Sequence, residues 1–82
     1  MKYNKKIVDN WELAINRALK TGKGKYGKFT FVGDLFDYKA IIKLIRQGKL
    51  EDAWLASFSL DTSAREEIPM QVWKMLEKAN DA

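Results

Sequence analysis

The chain contains neither cysteine nor histidine, and this leaves side-chain packing as its main means of stabilising a fold. No disulfide can form without cysteine, and the commonest metal ligand is missing without histidine. A chain of 82 residues makes one domain, and such a domain buries only about 60–65% of the surface that its unfolded form exposes. We therefore expect one compact domain over residues 1–82, with Trp11, Trp54 and Trp73 in a shared core.

A stripe of apolar residues at helical spacing predicts the first helix, over residues 5–20. Asn4 is the expected N-cap. Lys20 falls in the last turn, where a cation is favoured by the helix dipole. The members of the stripe are Ile7, Val8, Trp11, Ala14, Ile15, Ala18 and Leu19.

Similar patterns in three further segments predict a mainly α fold, a small bundle of about four helices. Asp37 is the expected N-cap of the second helix, and Gly48 is expected to end it in the left-handed conformation. Pro69 is placed as the first residue of the last helix. Ser63 and Glu66 have the spacing of a capping box, which indicates a short helical turn. The three further helices are expected over residues 38–47, 50–59 and 69–79.

The segment between the first two helices has a different composition. Residues 21–28 contain three glycines, which cost too much backbone entropy for a helix. Residues 29–32, Phe-Thr-Phe-Val, are all strand-forming types. A short strand or β-hairpin near residues 25–32, packed on the helices, is therefore left open.

The glycine-rich segment also matches part of a phosphate-binding loop. Residues 22–28 fit the first seven positions of G-x-x-x-x-G-K-[ST]. Phe29 stands where a hydroxyl group would bind magnesium, and the segment follows a helix instead of a strand. We therefore expect no nucleotide cofactor and interpret the segment as a basic connection, with contact to nucleic-acid phosphates as the alternative.

Positive charge is concentrated towards the N-terminus. Residues 1–28 carry eight Lys/Arg against two Asp/Glu, a net charge of +6, whereas the remainder carries seven against nine, a net charge of −2. Such asymmetry is typical of a surface that meets an acidic partner or nucleic acid, although a solvated polar face is the alternative. The second helix adds a basic stripe opposite its apolar side. We predict partner binding through Lys20, Lys23, Lys25, Lys28, Lys39, Lys43 and Arg46.

Groups that could perform catalysis are not arranged for it. Helix starts explain the adjacent carboxylates at 51–52 and 66–67, and the serine and threonine hydroxyls lack a histidine base. We expect a protein that is not an enzyme and holds no cofactor and no metal ion.

Small size, basic charge and missing catalytic groups favour a binding protein that regulates or inhibits a larger nucleic-acid-handling complex. The chain begins at Met and shows no linker to a further domain, which is typical of phage or mobile-element effectors such as inhibitors of host defence. Two alternatives stay open: direct, sequence-tolerant binding of DNA or RNA, and a self-associating structural subunit. The sequence has no signal-peptide pattern and no long apolar run, so we expect a cytoplasmic protein without a membrane partner. Its expected partner is a host protein or nucleoprotein complex. Formation of a homo-oligomer is left open.

Overall fold

The computed structural model describes residues 3–21 and 32–80, leaving aside the side chains at 21, 32–34 and 63. Within these residues the chain forms five helices and no strand. The predicted mainly α fold is confirmed, with one short helix more than the four expected. The helices are α1 (Lys5–Thr21), α2 (Val32–Arg46), α3 (Leu50–Phe58), α4 (Thr62–Glu66) and α5 (Met70–Asn80).

Helix α1 begins where its apolar stripe predicts and ends one residue later than expected, at Thr21. The side-chain oxygen of Asn4 accepts hydrogen bonds from the backbone amides of Lys6 at 3.0 Å and Ile7 at 3.3 Å. These bonds satisfy two of the amides that a helix start leaves without partners. The centre of the stripe lies in the core, where Val8, Trp11, Ile15 and Ala18 are buried.

Helix α2 begins six residues earlier than expected, at Val32. Asp37 therefore lies inside the helix, and its expected role as N-cap is wrong. Leu35 is only 2% exposed, and its burial stabilises a first turn that contains the weak helix formers Val32 and Gly33. Of the strand or hairpin left open near residues 25–32, Val32 is helical and the other positions lie outside the described residues.

The turn from α2 to α3 is formed as the glycine predicts. Gly48 has a φ of +79°, and its amide donates to the carbonyl oxygen of Ile45 at 2.9 Å. The amide of Lys49 reaches the carbonyl oxygen of Leu44, also at 2.9 Å. This pair of bonds is the Schellman motif that ends many helices.

The last two helices begin at residues other than those expected. Asp61 is the N-cap residue of α4, so Ser63 lies within that helix and not at the N-cap position that the capping box predicts. Helix α5 begins at Met70, one residue later than expected, and the carbonyl oxygen of Pro69 accepts the amides of Val72 and Trp73 at 2.9 and 3.0 Å. None of the described helices has both the length and the apolar character to cross a membrane.

The core lies between α1, α2, α3 and α5, with α3 packed against both α2 and α5. Tyr38 is fully buried near its centre, 5.6 Å from the ring of Trp11. Trp54 and Trp73 lie only half-buried at the edge of the core. All three tryptophans thus belong to one core, Trp11 inside it and Trp54 and Trp73 packed against its edge.

Candidate partner-binding surfaces

Helices α1 and α2 run antiparallel, and two polar contacts fix their register. Lys39 donates to the side-chain oxygen of Asn16 at 3.2 Å, and Arg46 donates to Asp9 at 2.8 Å. Residue numbers therefore increase along α1 in the direction in which they decrease along α2. The end of α1 that carries Lys20 accordingly lies beside the beginning of α2, where Phe36 is located.

An ion cluster joins the other ends of these helices. Nη2 of Arg46 lies 2.8 Å from Oδ1 of Asp9 and 2.8 Å from Oε1 of Glu12, and Nζ of Lys5 lies 3.2 Å from Oδ2 of Asp9. The hydrogen bond from Arg46, supported by Lys5, holds the pKa of Asp9 below its usual range. The hydrogen bond to Asp9 raises the pKa of Arg46, against the opposing effect of burial. The positive charge of Arg46 is thus balanced inside the protein.

Helices α1 and α2 also carry three of the predicted binding cations and two exposed apolar side chains. Lys20 and Lys43 are exposed, and Lys39 is half-buried. Leu13 on α1 and Phe36 on α2 are each 59% exposed. We call the surface formed by Leu13, Lys20, Phe36, Lys39 and Lys43 the α1–α2 face.

A groove runs along this face with a volume of about 550 Å³. Pockets of a few hundred cubic ångströms accommodate large side chains or small ligands. The groove is lined by one aromatic ring, the stems of two lysines and the side chain of Glu12. Its lining consists of Glu12, Phe36, Lys39, Ala40, Ile42, Lys43, Arg46 and Gln47.

A second surface consists of aromatic rings from α3 and α5. The ring of Trp54 lies 4.9 Å from the rings of both Phe58 and Trp73, in edge-to-face geometry. The guanidinium of Arg65 lies 5.5 Å from the centre of the Phe58 ring, and the carbonyl oxygen of Arg65 accepts the indole N–H of Trp73 at 3.2 Å. These contacts hold the rings in a fixed arrangement.

The same two helices carry three large apolar side chains that are exposed to solvent. Leu55 is 57% exposed, Phe58 50% and Met70 66%. Aromatic residues, Met and Arg are the types most enriched in protein interfaces. We call the surface formed by Trp54, Leu55, Phe58, Met70 and Trp73 the aromatic patch.

The structure places only part of the predicted binding set. Lys20, Lys39 and Lys43 lie on the α1–α2 face, whereas Arg46 is engaged by two carboxylates at its edge. The predicted binding residues Lys23, Lys25 and Lys28 lie outside the described residues. So does the segment that matches the phosphate-binding loop.

The predicted binding residues are all cationic, so the apolar members of both surfaces were not predicted from the sequence. Leu13 and Leu55 each interrupt the polar side of a helix, and this departure from amphipathic spacing is a signal that the sequence carries. Phe36 falls before the predicted start of the second helix, so its exposure on α2 had no sequence signal. In the described part of the chain, no group of three Asp or Glu side chains is placed to hold a metal ion.

Comparison with protein-family models gave no match, and neither did searches of curated proteins and of solved structures.

Proposed function

We propose that this chain is a non-enzymatic binding protein that regulates or inhibits a larger nucleic-acid-handling complex, and that its α1–α2 face docks on an acidic protein surface of that complex. One observation carries the proposal: Phe36, 59% exposed, lines a groove together with Lys39 and Lys43. Apolar anchors surrounded by charged residues are the usual anatomy of a protein-binding surface. The lysines would steer an acidic partner towards the face, and the anchors would hold it there.

The composition of the face favours a protein over nucleic acid as the direct target. Phe36 offers only one ring on which a base could stack, and Leu13 offers none. Asp9 and Glu12 lie at the edge of the face and repel phosphates, and they already occupy the guanidinium of Arg46.

The wider assignment draws on size and charge. The chain has 82 residues and a net charge of +4, and it lacks the histidine and cysteine that most often supply a catalytic base or nucleophile. Within this class we propose an effector encoded by a phage or mobile element that inhibits a host defence complex. Its action would be to occupy a surface of the complex instead of modifying it.

Affinity capture from the native host lysate tests the proposal, with and without nuclease. Lys39→Gln combined with Lys43→Gln removes two charges from the α1–α2 face. The matched control, Lys74→Gln with Lys78→Gln, removes two charges from exposed positions on α5. We expect nuclease-resistant capture of a nucleic-acid-handling protein complex, which the first variant weakens about tenfold or more and the control leaves unchanged.

A further variant tests the predicted binding residues Lys23, Lys25 and Lys28, each replaced by Gln. We expect slower association with the captured complex. Capture that nuclease abolishes would contradict the proposal in favour of direct nucleic-acid binding. Equal losses in the α1–α2 variant and its control would show that total charge, and not this face, drives association.

A further inference from the structure

The aromatic patch has opposite charges at its two ends. The guanidinium of Arg65 lies over Phe58 at one end. At the other end, the side chain of Asn80 donates to the carbonyl oxygen of Leu50 at 3.2 Å, which places the start of α3 beside the end of α5. A cation therefore marks the α4 end of the patch, and the far end is formed by the first turn of α3 and the last turns of α5.

Two exposed carboxylates lie at that far end. Glu51 precedes Trp54 by three residues, and Glu77 follows Trp73 by four. Residues three or four apart on a helix share a side, so both carboxylates lie on the side of their helix that forms the patch. Both are exposed. The patch is thus an apolar strip with two carboxylates at one end and Arg65 at the other, and Lys74 lies on the same side of α5 between Met70 and Glu77.

We propose that the aromatic patch binds a second copy of this chain in a two-fold symmetric dimer. A two-fold axis that lies in the interface, perpendicular to the strip, reverses the direction of the strip, so the Arg65 end of each copy meets the Glu51 and Glu77 end of the other. The apolar centres then pack on each other, and each copy contributes the same residues. Charge complementarity of the patch with itself distinguishes a second copy from an unrelated partner.

The exposed area indicates a weak and reversible dimer. At about 200 Å² for a fully exposed large side chain, the exposed fractions of Leu55, Phe58 and Met70 offer roughly 350 Å² of apolar surface per copy. A stable interface of standard size buries about 800 Å² per partner. Dimerisation is therefore expected in the micromolar range or weaker, and it depends on the charged ends.

Such a dimer leaves the α1–α2 face accessible, because that face is built from other helices. Two copies of the face on one particle can engage two sites of a target complex, which strengthens binding by avidity. The dimer itself does not rest on the proposed function, since it can be measured with the purified chain alone.

Sedimentation equilibrium of the purified chain, from about 1 µM to about 1 mM, tests the dimer directly. We expect a monomer–dimer equilibrium that Arg65→Glu weakens about tenfold or more, since three carboxylates then face one another across the interface. Glu51→Arg with Glu77→Arg should weaken it similarly. Leu13→Ser, at an exposed apolar position outside the patch, is the control and should leave it unchanged.

Mixing the two charge variants gives the sharpest result. Each reversed charge then meets its opposite on the other chain, so an equimolar mixture should dimerise although each variant alone does not. Thermal melts confirm that both variants are folded. A wild-type chain that stays monomeric through the whole range, or a dimer that both charge variants retain at full affinity, would overturn the proposal.

Discussion

Replacing Tyr38 with Phe tests how the core connects α2 to α4. The Tyr38 side chain is fully buried, and its hydroxyl donates to the carbonyl oxygen of Ala64 at 2.6 Å, with a carboxylate oxygen of Glu67 at 3.2 Å. Loss of a buried hydrogen bond costs about 1–1.5 kcal/mol. The carbonyl of Ala64 keeps the backbone amide of Glu67 as a donor at 3.2 Å, so the larger penalty of an orphaned group is avoided.

We therefore expect Tyr38→Phe to lower the free energy of unfolding by about 1.5 kcal/mol. For a domain of this size, that corresponds to a decrease in Tm of roughly 6–12 °C. Urea denaturation and thermal melts followed by circular dichroism measure both quantities. Hydrogen exchange adds a local readout, because the amides of Glu67 and Ile68, which bond within and just after α4, should exchange faster than those of α1.

The result that would refute this reasoning is a Tm within about 2 °C of the wild type, because a buried hydroxyl with a short hydrogen bond cannot be removed without cost. Faster exchange spread evenly over all helices would also contradict it. In that case Tyr38 would contribute only through its ring, which Phe retains.

Three other predictions concern a helix cap, a turn and a charge. Asn4→Ala removes the acceptor for two amides of α1 and should cost about 1 kcal/mol by urea denaturation, whereas Asn4→Asp should cost only a few tenths. Gly48→Ala should cost about 1 kcal/mol in the same assay, since the added methyl group meets open space and only the positive φ resists it. Arg46→Met should lower the Tm at neutral pH. The pKa of Asp9 is lowered from 3.8 in the folded state. The difference in Tm between Arg46→Met and the wild type should therefore persist above pH 3.8 and decrease as the pH falls through the pKa of Asp9 in the folded state. Thermal melts in a pH series measure this difference.

The sequence predicts α1, α3 and α5 because local signals agree with the packing there. Asn4 caps the apolar stripe of α1, and Gly48 ends α2 in the conformation that glycine allows. The start of α2 depends instead on a tertiary contact. Leu35 is buried in the core, and no local pattern shows that its burial outweighs the poor helix formers before it.

The depth of burial of the tryptophans also required the structure. Trp54 and Trp73 lie on the apolar stripes of their helices, as expected, yet both remain half-buried. Helical spacing predicts which side of a helix a residue occupies, but it does not predict whether a neighbouring helix covers the side chain. Helices of nine and five residues, α3 and α4, are too short to cover two indole rings.

The candidate binding face was predictable only in part. The spacing of Lys39 and Lys43 indicates a basic side of the second helix, and both residues lie on the α1–α2 face. Arg46 belongs to the same stripe, but its partners Asp9 and Glu12 are 37 and 34 residues away in the chain. Only the antiparallel register of α1 and α2 brings these charges together, so the sequence could not show that the charge of Arg46 is balanced.

Photo-cross-linking tests directly whether the α1–α2 face contacts an acidic protein surface. A benzophenone-bearing amino acid replaces Phe36, which is exposed on that face, and in a separate protein it replaces Gln71, which is exposed on α5. After irradiation in the native host lysate, cross-linked species are digested with nuclease and identified by mass spectrometry. We expect a cross-link from position 36 to an acidic segment of a nucleic-acid-handling protein, and none to that segment from position 71. Cross-links from position 36 to nucleic acid, or to that protein from position 71 alone, would contradict it.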